Sequence, residues 1–285
     1  MKRSRVYSVQ GLSRLLTFIL IGTLISSCIS VGFGPITAEE EISQDFEAPD
    51  NLSVMAETFN GDIVILAGSA GQVQVNVTKR GAGTSQQRAE QDLENIDVSI
   101  TLEGNTLDVI AKRTGGSRMG NSGAEIFITL PPEVANLDLT TSNGEISTRG
   151  VKGEILAHTS NGAVIVEGGT GRLDLETSNG RIDVTAENSV VSALTSNGRI
   201  NFVGSLASGE SNFETSNGSI EITLPSDAAF ELDADTSNGS VTCDFDITIS
   251  GTVKKDRLTG TVGEDPQSTI VARSSNGSIR IQTSP

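Results

Sequence analysis

Thr141-Ser142-Asn143-Gly144 is the stretch that decides the fold, because the chain keeps returning to it. The tetrapeptide recurs at Thr159, Thr177, Thr195, Thr215 and Thr236, and closes as Ser274-Ser275-Asn276-Gly277. Its corners are Asn143-Gly144, Asn161-Gly162, Asn179-Gly180, Asn197-Gly198, Asn217-Gly218, Asn238-Gly239 and Asn276-Gly277, spaced 18, 18, 18, 20, 21 and 38 residues apart. The last step equals about two periods, which predicts a rung without the signature around Gly260. Thr58-Phe59-Asn60-Gly61 reads as an early, degenerate copy. A steady period of this length marks units that bury their apolar sides against one another.

Each copy can be read by columns. Two residues after each glycine stand Ile146, Val164, Ile182, Ile200, Ile220, Val241 and Ile279. Four residues after it stand Thr148, Val166, Val184, Phe202, Ile222 and Cys243. Between these columns lie Ser147, Ile165, Asp183, Asn201, Glu221 and Thr242, which are mostly polar. Alternation with period two predicts a strand after each Asn-Gly. Four places ahead of each asparagine, Leu139, Ala157, Leu175, Ala193, Phe213 and Ala234 alternate large with small, as interdigitating layers require. A second strand therefore precedes each corner.

Glycine takes positive φ freely and asparagine tolerates it, so Asn-Gly reads as a sharp corner. Two all-β architectures follow. In one, the corners are hairpin turns of an antiparallel meander. In the other, they are corners of a β-solenoid, a single-stranded β-helix with rungs of 18–21 residues whose equivalent strands stack in parallel. Both bury the same residues. The fixed identity of the corner favours the solenoid, because stacked rungs place like side chains over like. Seven or eight rungs at about 4.8 Å give a body roughly 35 Å long.

Outward from the repeat, residues 136–285 form the solenoid with an insertion near 250–270, seen as a break over Lys254–Gln267. Residues 51–135 read as a β-rich cap with strands at Asp62–Leu66, Val73–Val77, Ile96–Leu102, Thr106–Ala111 and Glu125–Leu130. One helix is predicted near 85–95, with Ser85 as its N-cap. Residues 28–50, with Glu39-Glu40-Glu41, read as an acidic flexible tether.

Residues 1–27 read as an export signal: Lys2, Arg3, Arg5 and Arg14 precede and border an apolar run, Leu15–Leu24. Ten residues fall short of the roughly 20 that a membrane-spanning helix needs. Ile25-Ser26-Ser27-Cys28 follows and resembles the lipobox of bacterial lipoproteins. That resemblance implies a lipid on the Cys28 sulfur and cleavage after Ser27. Several acyl chains hold a protein to a membrane far better than one.

The whole chain carries 20 basic and 36 acidic residues. Without the four basic residues of the signal the balance is 16 against 36, a net charge of −20. Such a body repels nucleic acid and anionic head groups. Beyond Cys28 only Cys243 remains, so no internal disulfide forms in the exported body.

The order of motifs is itself distinctive. An N-G-D-I-x-I opening (Asn60–Ile65) leads to the predicted helix, an I-x-L-P-P exit (Ile128–Pro132) leads to the T-S-N-G repeats, and the chain closes on S-N-G-S-I-x-I (Ser275–Ile281). This resembles the putative-adhesin β-strand-repeat family of bacterial envelope proteins, a domain of unknown function, over most of residues 50–285. The resemblance implies a β-helix-like fold at the cell surface and brings no catalytic residues with it.

Candidate chemistry is sparse. His158 is the sole histidine and sits in an outward, variable column, where a Ser-His-Asp site finds no oriented partner. Cys243 falls in an inward column and reads as a small buried hydrophobe. Gly168-Gly169-Thr170-Gly171-Arg172-Leu173-Asp174 nearly matches a calcium-binding nonapeptide, but Leu173 stands where the ligand belongs. Asp244 and Asp246 lack an EF-hand frame. Arg181 and Arg199 stack in adjacent rungs and form a candidate face for an anionic glycan, or a solvated face neutralised by Glu176 or Asp183.

The reading is therefore a non-catalytic envelope lipoprotein, an adhesin-like scaffold or binding module. It is exported and membrane-held through Cys28, with a glycan or envelope protein as partner, no nucleic acid, no metal and no cofactor. The alternatives are a carbohydrate-active β-helix enzyme and a purely structural spacer.

Overall fold

The computed structural model describes residues 36–115, 122–250 and 254–284. Cys28, residues 1–27 (read as an export signal) and the first part of the acidic segment lie outside them. The alternating columns become strands throughout. The first part of the chain gives β1 (Ile36–Glu47), β2 (Ser53–Thr58), β3 (Ile63–Ala67), β4 (Gln72–Gly83), helix α1 (Gln86–Leu93), β5 (Ile96–Glu103), β6 (Thr106–Arg113) and β7 (Gly123–Leu130). The regular repeats give β8 (Glu133–Asn143), β9 (Ile146–Arg149), β10 (Lys152–Asn161), β11 (Val164–Thr177), β12 (Ile182–Asn197), β13 (Ile200–Leu206), β14 (Gly209–Asn217) and β15 (Ile220–Leu224). The chain finishes with β16 (Phe230–Asn238), β17 (Val241–Cys243), β18 (Ile247–Ile249), β19 (Arg257–Val262), β20 (Ser268–Asn276) and β21 (Ile279–Thr283).

Successive rungs pair in parallel, which excludes the meander and makes the body a β-solenoid. Leu139 lies beside Ala157, Ala157 beside Leu175 and Leu175 beside Ala193 on the face that leads into the corners. Ile146, Val164, Ile182 and Ile200 follow one another on the face that leaves them. These inward residues are fully buried. Each such isoleucine contributes about 2–3 kcal/mol by leaving water. Phe202 and Phe213 meet across the interior with ring centroids 5.8 Å apart.

Both ends depart from a simple progression. At the C-terminal end, β20 lies between β14 and β16, and β21 lies between β15 and β17. The rung of Asn276 is thus inserted between those of Asn217 and Asn238. At the N-terminal end, β2 lies between β6 and β8, and β3 between β7 and β9. Here too the rung that comes first in the chain, that of β2 and β3, sits one layer inside.

This arrangement corrects the reading of the 38-residue gap. Gly260 does not mark a worn rung. It lies in β19, which runs antiparallel to β16 and forms a hairpin with β18. Its backbone packs against that hairpin, since a Cβ there would stand 2.5 Å from the Thr248 carbonyl.

Two further boundaries differ from expectation. Residues 36–47, read as tether, form β1, paired with β4 along all twelve residues. Ala38 is buried and Ile42 and Phe46 pack against the core, so the glutamates belong to an amphipathic strand. Glu40 meets Lys79 at 2.7 Å and Glu39 meets Arg80 at 2.9 Å. No change of architecture marks residue 135 either, because β2 and β3 stack directly on β8 and β9.

Helix α1 lies against β4 and β1. Ser85 accepts from the Arg88 N–H at its start. Asp92, in the last turn, is buried and accepts from the Ala82 N–H, the Ser122 hydroxyl and the Arg113 guanidinium. Burial pushes its pKa up, but the bonds from Ser122 and Ala82 and the Arg113 charge outweigh this and hold it below the ordinary carboxylate value.

Candidate functional site

The most regular feature of the surface is the file of corners, and each residue of the tetrapeptide has its own task there. The threonine hydroxyl donates to the carbonyl of the corner glycine in the adjoining rung. Thr141 reaches Gly61 at 3.0 Å, Thr159 reaches Gly144 at 3.0 Å, Thr177 reaches Gly162 at 2.9 Å and Thr195 reaches Gly180 at 3.0 Å. Thr215, Ser274 and Thr236 continue the series onto Gly198, Gly218 and Gly277.

The asparagine carboxamides form a ladder. Asn161 donates to Asn143 at 2.9 Å, Asn179 to Asn161 at 3.0 Å, Asn197 to Asn179 at 2.9 Å and Asn217 to Asn197 at 2.9 Å. Asn276 then donates to Asn217 at 2.9 Å and Asn238 to Asn276 at 3.0 Å. The ladder thus follows the spatial order of the rungs rather than their order in the chain.

The corner glycine is required for a reason the sequence reading did not supply. None of the seven repeat corners uses a positive φ at asparagine or glycine. Instead the rungs approach so closely that a Cβ on Gly162, Gly180 or Gly198 would lie 1.8 Å from the glycine carbonyl of the adjoining rung. That carbonyl also receives the threonine hydroxyl. Positive φ occurs at the opposite bend, at Gly150 (φ 71°), Gly168 (φ 78°) and Asn188 (φ 49°).

The two outer faces differ in charge. On the face that leaves the corners, Arg181 and Arg199 stand in neighbouring rungs, and both engage Asp183, at 2.6 and 3.5 Å. Arg181 also lies 3.9 Å from Glu145. Arg149 pairs with Glu167 at 2.6 Å and Arg280 with Glu221 at 3.7 Å. On the face that enters the corners, Asp138, Asp174, Glu154, Glu176, Glu210 and Glu214 outnumber Arg172 and Arg273 and stand among Leu156, Leu194 and Val190. Leu156 is 46% exposed in this acidic setting.

His158 lies on that face, its Nδ1 3.4 Å from Glu176. Glu176 thus serves the histidine, while Asp183 serves the arginines. Cys243 is half-buried in the final rung, and burial pushes its thiol pKa up, away from the reactive thiolate. Leu173 is buried in the core, in the place a calcium ligand would need. Among the described residues no group of three His, Cys, Asp or Glu side chains is arranged to hold a metal ion. No helix among them is long and apolar enough to cross a membrane.

Sequence reasoning missed two carboxylate centres and one cleft. Asp92 ties α1 to β4 and β6, as described. Asp233 on β16 joins Arg273 on β20, with Arg257 3.9 Å away and the Thr259 hydroxyl 3.3 Å away on β19. The bond from Arg273 holds its pKa below the ordinary value. A cleft of ≈ 200 Å³ opens between Asn60, Thr78, Arg80 and Glu125. The carboxylates of Glu39 and Glu125 occupy the Arg80 guanidinium at its edge. No local sequence signal marks these groups, because each unites strands distant in the chain.

Stacked parallel rungs, an asparagine ladder and a threonine-to-carbonyl file define a β-solenoid of the strand-repeat class. The profile of the family described as Toastrack DUF4097 matches residues 121–282, and the chain belongs to that family. No curated protein matches it. Among solved structures, it is similar to a "putative adhesin" from Bacteroides fragilis, at 13% identity and a TM-score of 0.42, over 85% of this chain and 96% of that one. It is also similar to a "putative cell adhesion protein" from Clostridium sporogenes, at 12% identity and a TM-score of 0.33, over 86% of this chain and 100% of that one. A third is a "putative lipid binding protein" from Parabacteroides distasonis, at 15% identity and a TM-score of 0.39, over 86% and 97% of the two chains. The family assignment rests on the sequence match rather than on these.

Proposed function

We propose that the protein is a non-catalytic cell-envelope lipoprotein whose solenoid is a rigid binding module. The observation that carries this reading is the uninterrupted file of corners. Hydrogen bonds from Thr and Asn side chains join every rung from Asn143 to Asn238 and fix the register of both outer faces. Surfaces held this way can dock an extended ligand without paying to order themselves first. The acidic, partly apolar face suits a glycan or envelope protein, whereas the arginines of the other face are already engaged by carboxylates.

The anchor follows from the lipobox-like run ending at Cys28. β1 begins at Ile36, so seven residues, 29–35, separate Cys28 from the first strand. Extended, they span at most about 25 Å. The N-terminal end of the solenoid then stands next to the membrane, with the hairpin of β18 and β19 outermost.

Two experiments test the reading. Metabolic labelling with a fatty-acid probe tags the native protein and leaves Cys28→Ala unlabelled; persistent labelling of the variant refutes the anchor. Pull-down with residues 28–285 against envelope glycans and peptidoglycan recovers a partner that competes with reagents covering Leu156 and Leu194. Recovery of nothing from either source reduces the solenoid to a spacer.

A further inference from the structure

An Asn-Gly pair is the dipeptide most prone to hydrolyse its own amide, because glycine leaves its backbone nitrogen sterically open to the neighbouring side chain. The nitrogen, on losing its proton, attacks Cγ of asparagine, and Nδ2 departs as ammonia. Water then opens the cyclic imide to aspartate or isoaspartate. The chain carries eight such pairs, counting Asn60-Gly61 with the seven repeat corners.

The solenoid restrains both reacting groups at its interior corners. Asn161, Asn179, Asn197, Asn217 and Asn276 each donate from Nδ2 to one neighbour and accept on Oδ1 from the other. Rotation of Cγ toward the backbone would break both bonds. Several of the attacking nitrogens are tied as well. The Gly61, Gly144, Gly198 and Gly218 N–H groups donate to the asparagine carbonyl of the next rung, at 2.8, 3.0, 3.1 and 3.1 Å.

Asn238 stands differently. It occupies the last rung of the ladder, beyond Asn276. Its Nδ2 donates to Asn276 Oδ1 and, at 3.4 Å, to the Ser275 carbonyl, but among the described residues no further carboxamide donates to its Oδ1. Beyond this corner runs the Lys255–Asp256 backbone, whose carbonyls accept from the Val241 and Thr236 N–H groups at 2.9 Å, and among the described residues no further Asn-Gly corner stands there to receive the Gly239 N–H. Both Asn238 and Ser237 are exposed.

We infer that Asn238-Gly239 is a self-modification site, hydrolysed with water as the only co-reactant, and that the ladder erodes from this end. An aspartate at 238 has no Nδ2 to donate, so Asn276 becomes the new terminal carboxamide. The sequence of loss is Asn238, then Asn276, then Asn217. This is the order of the rungs in space and not their order in the chain.

Peptide mapping of the folded, full-length body after incubation in warm, mildly alkaline buffer tests this. Isoaspartate at each site is read beside a urea-unfolded control. Asn238 hydrolyses roughly tenfold or more faster than Asn197 in the folded protein, the factor expected from the two hydrogen bonds that hold the Asn197 Oδ1 and the Gly198 N–H. In the unfolded control all the pairs react at similar rates. Equal rates at Asn238 and Asn197 in the folded protein overturn the inference. An Asn238→Asp variant sharpens it, because hydrolysis at Asn276 then accelerates while Asn179 stays protected. Should that variant unfold, the time course of the unaltered protein still decides the order: appearance of product at Asn217 before Asn276 sinks it.

Discussion

The two bends of each rung solve the same problem of reversing the chain, and they do it in opposite ways. The Asn-Gly bend uses ordinary backbone dihedrals and repeats its residues without drift. The opposite bend uses positive φ at Gly150, Gly168, Asn188 and Gly204, and its sequence wanders. All the extra residues of the 20- and 21-residue rungs fall on that side, between β13 and β14 and between β15 and β16. A bend that only needs an allowed dihedral accepts many sequences. One that bonds to its neighbours above and below accepts few. The repeated motif is therefore a record of contacts between rungs rather than of turn geometry.

The largest test of that contrast sets Gly180→Ala against Gly168→Ala. At Gly180 the new Cβ meets backbone carbonyl at 1.8 Å, so two rungs must separate. A loss above about 4 kcal/mol, or no folded protein, is expected in chemical denaturation. At Gly168 the nearest atom is 3.5 Å away and the left-handed backbone alone opposes the change. The expected loss there is about 1–2 kcal/mol. Equal losses would break the comparison.

A second test leaves the bends for the carboxylates that fasten the ends. Asp92→Ala costs about 3 kcal/mol, since it strips partners from a buried network. Both Asp92 and Asp233 have pKa values lowered from 3.8. Their contribution is complete above that ordinary value and is lost as pH falls through the lower folded-state values. Denaturation midpoints of the native protein therefore fall below about pH 4, and those of an Asp92→Asn, Asp233→Asn variant fall less steeply.

Smaller effects come from single rungs. Thr177→Val keeps the shape and removes the hydroxyl bond to the Gly162 carbonyl. It costs about 1 kcal/mol by thermal or chemical unfolding. Smallest are Arg181→Ala and Arg199→Ala on the exposed face, each within about 0.5 kcal/mol. Because Asp183 already engages both arginines, their loss also leaves binding to an anionic glycan array unchanged. A clear fall in binding would return the ligand site to that face.

The interior was legible from alternation alone, since Ile146, Val164 and Ile182 recur at a fixed distance from a fixed corner. The ends were not. Nothing in Ser268–Thr283 says that it docks between two rungs already formed, because its residues match the repeat equally well at the tip. The glutamates of β1 masked an amphipathic strand, whose buried Ala38 and half-buried Ile42 and Phe46 repeat every four residues among charges. Of the site, the corner residues could be named from the repeat, while their purpose needed the distance between rungs. Asp92, Arg113, Asp233 and Arg273 gave no local sign because their partners are 10 to 40 residues away.

The insertion of β20 and β21 one layer inside has a consequence for assembly. The strands of Asn217 and those of Asn238 share no ladder of their own and are bridged by the closing residues of the chain. The tier of Asn238 therefore cannot stack on that of Asn217 until β20 and β21 are in place between them. By the same logic, clipping the tail does not trim the tip of the rod; it removes a keystone and leaves the outermost tier unseated.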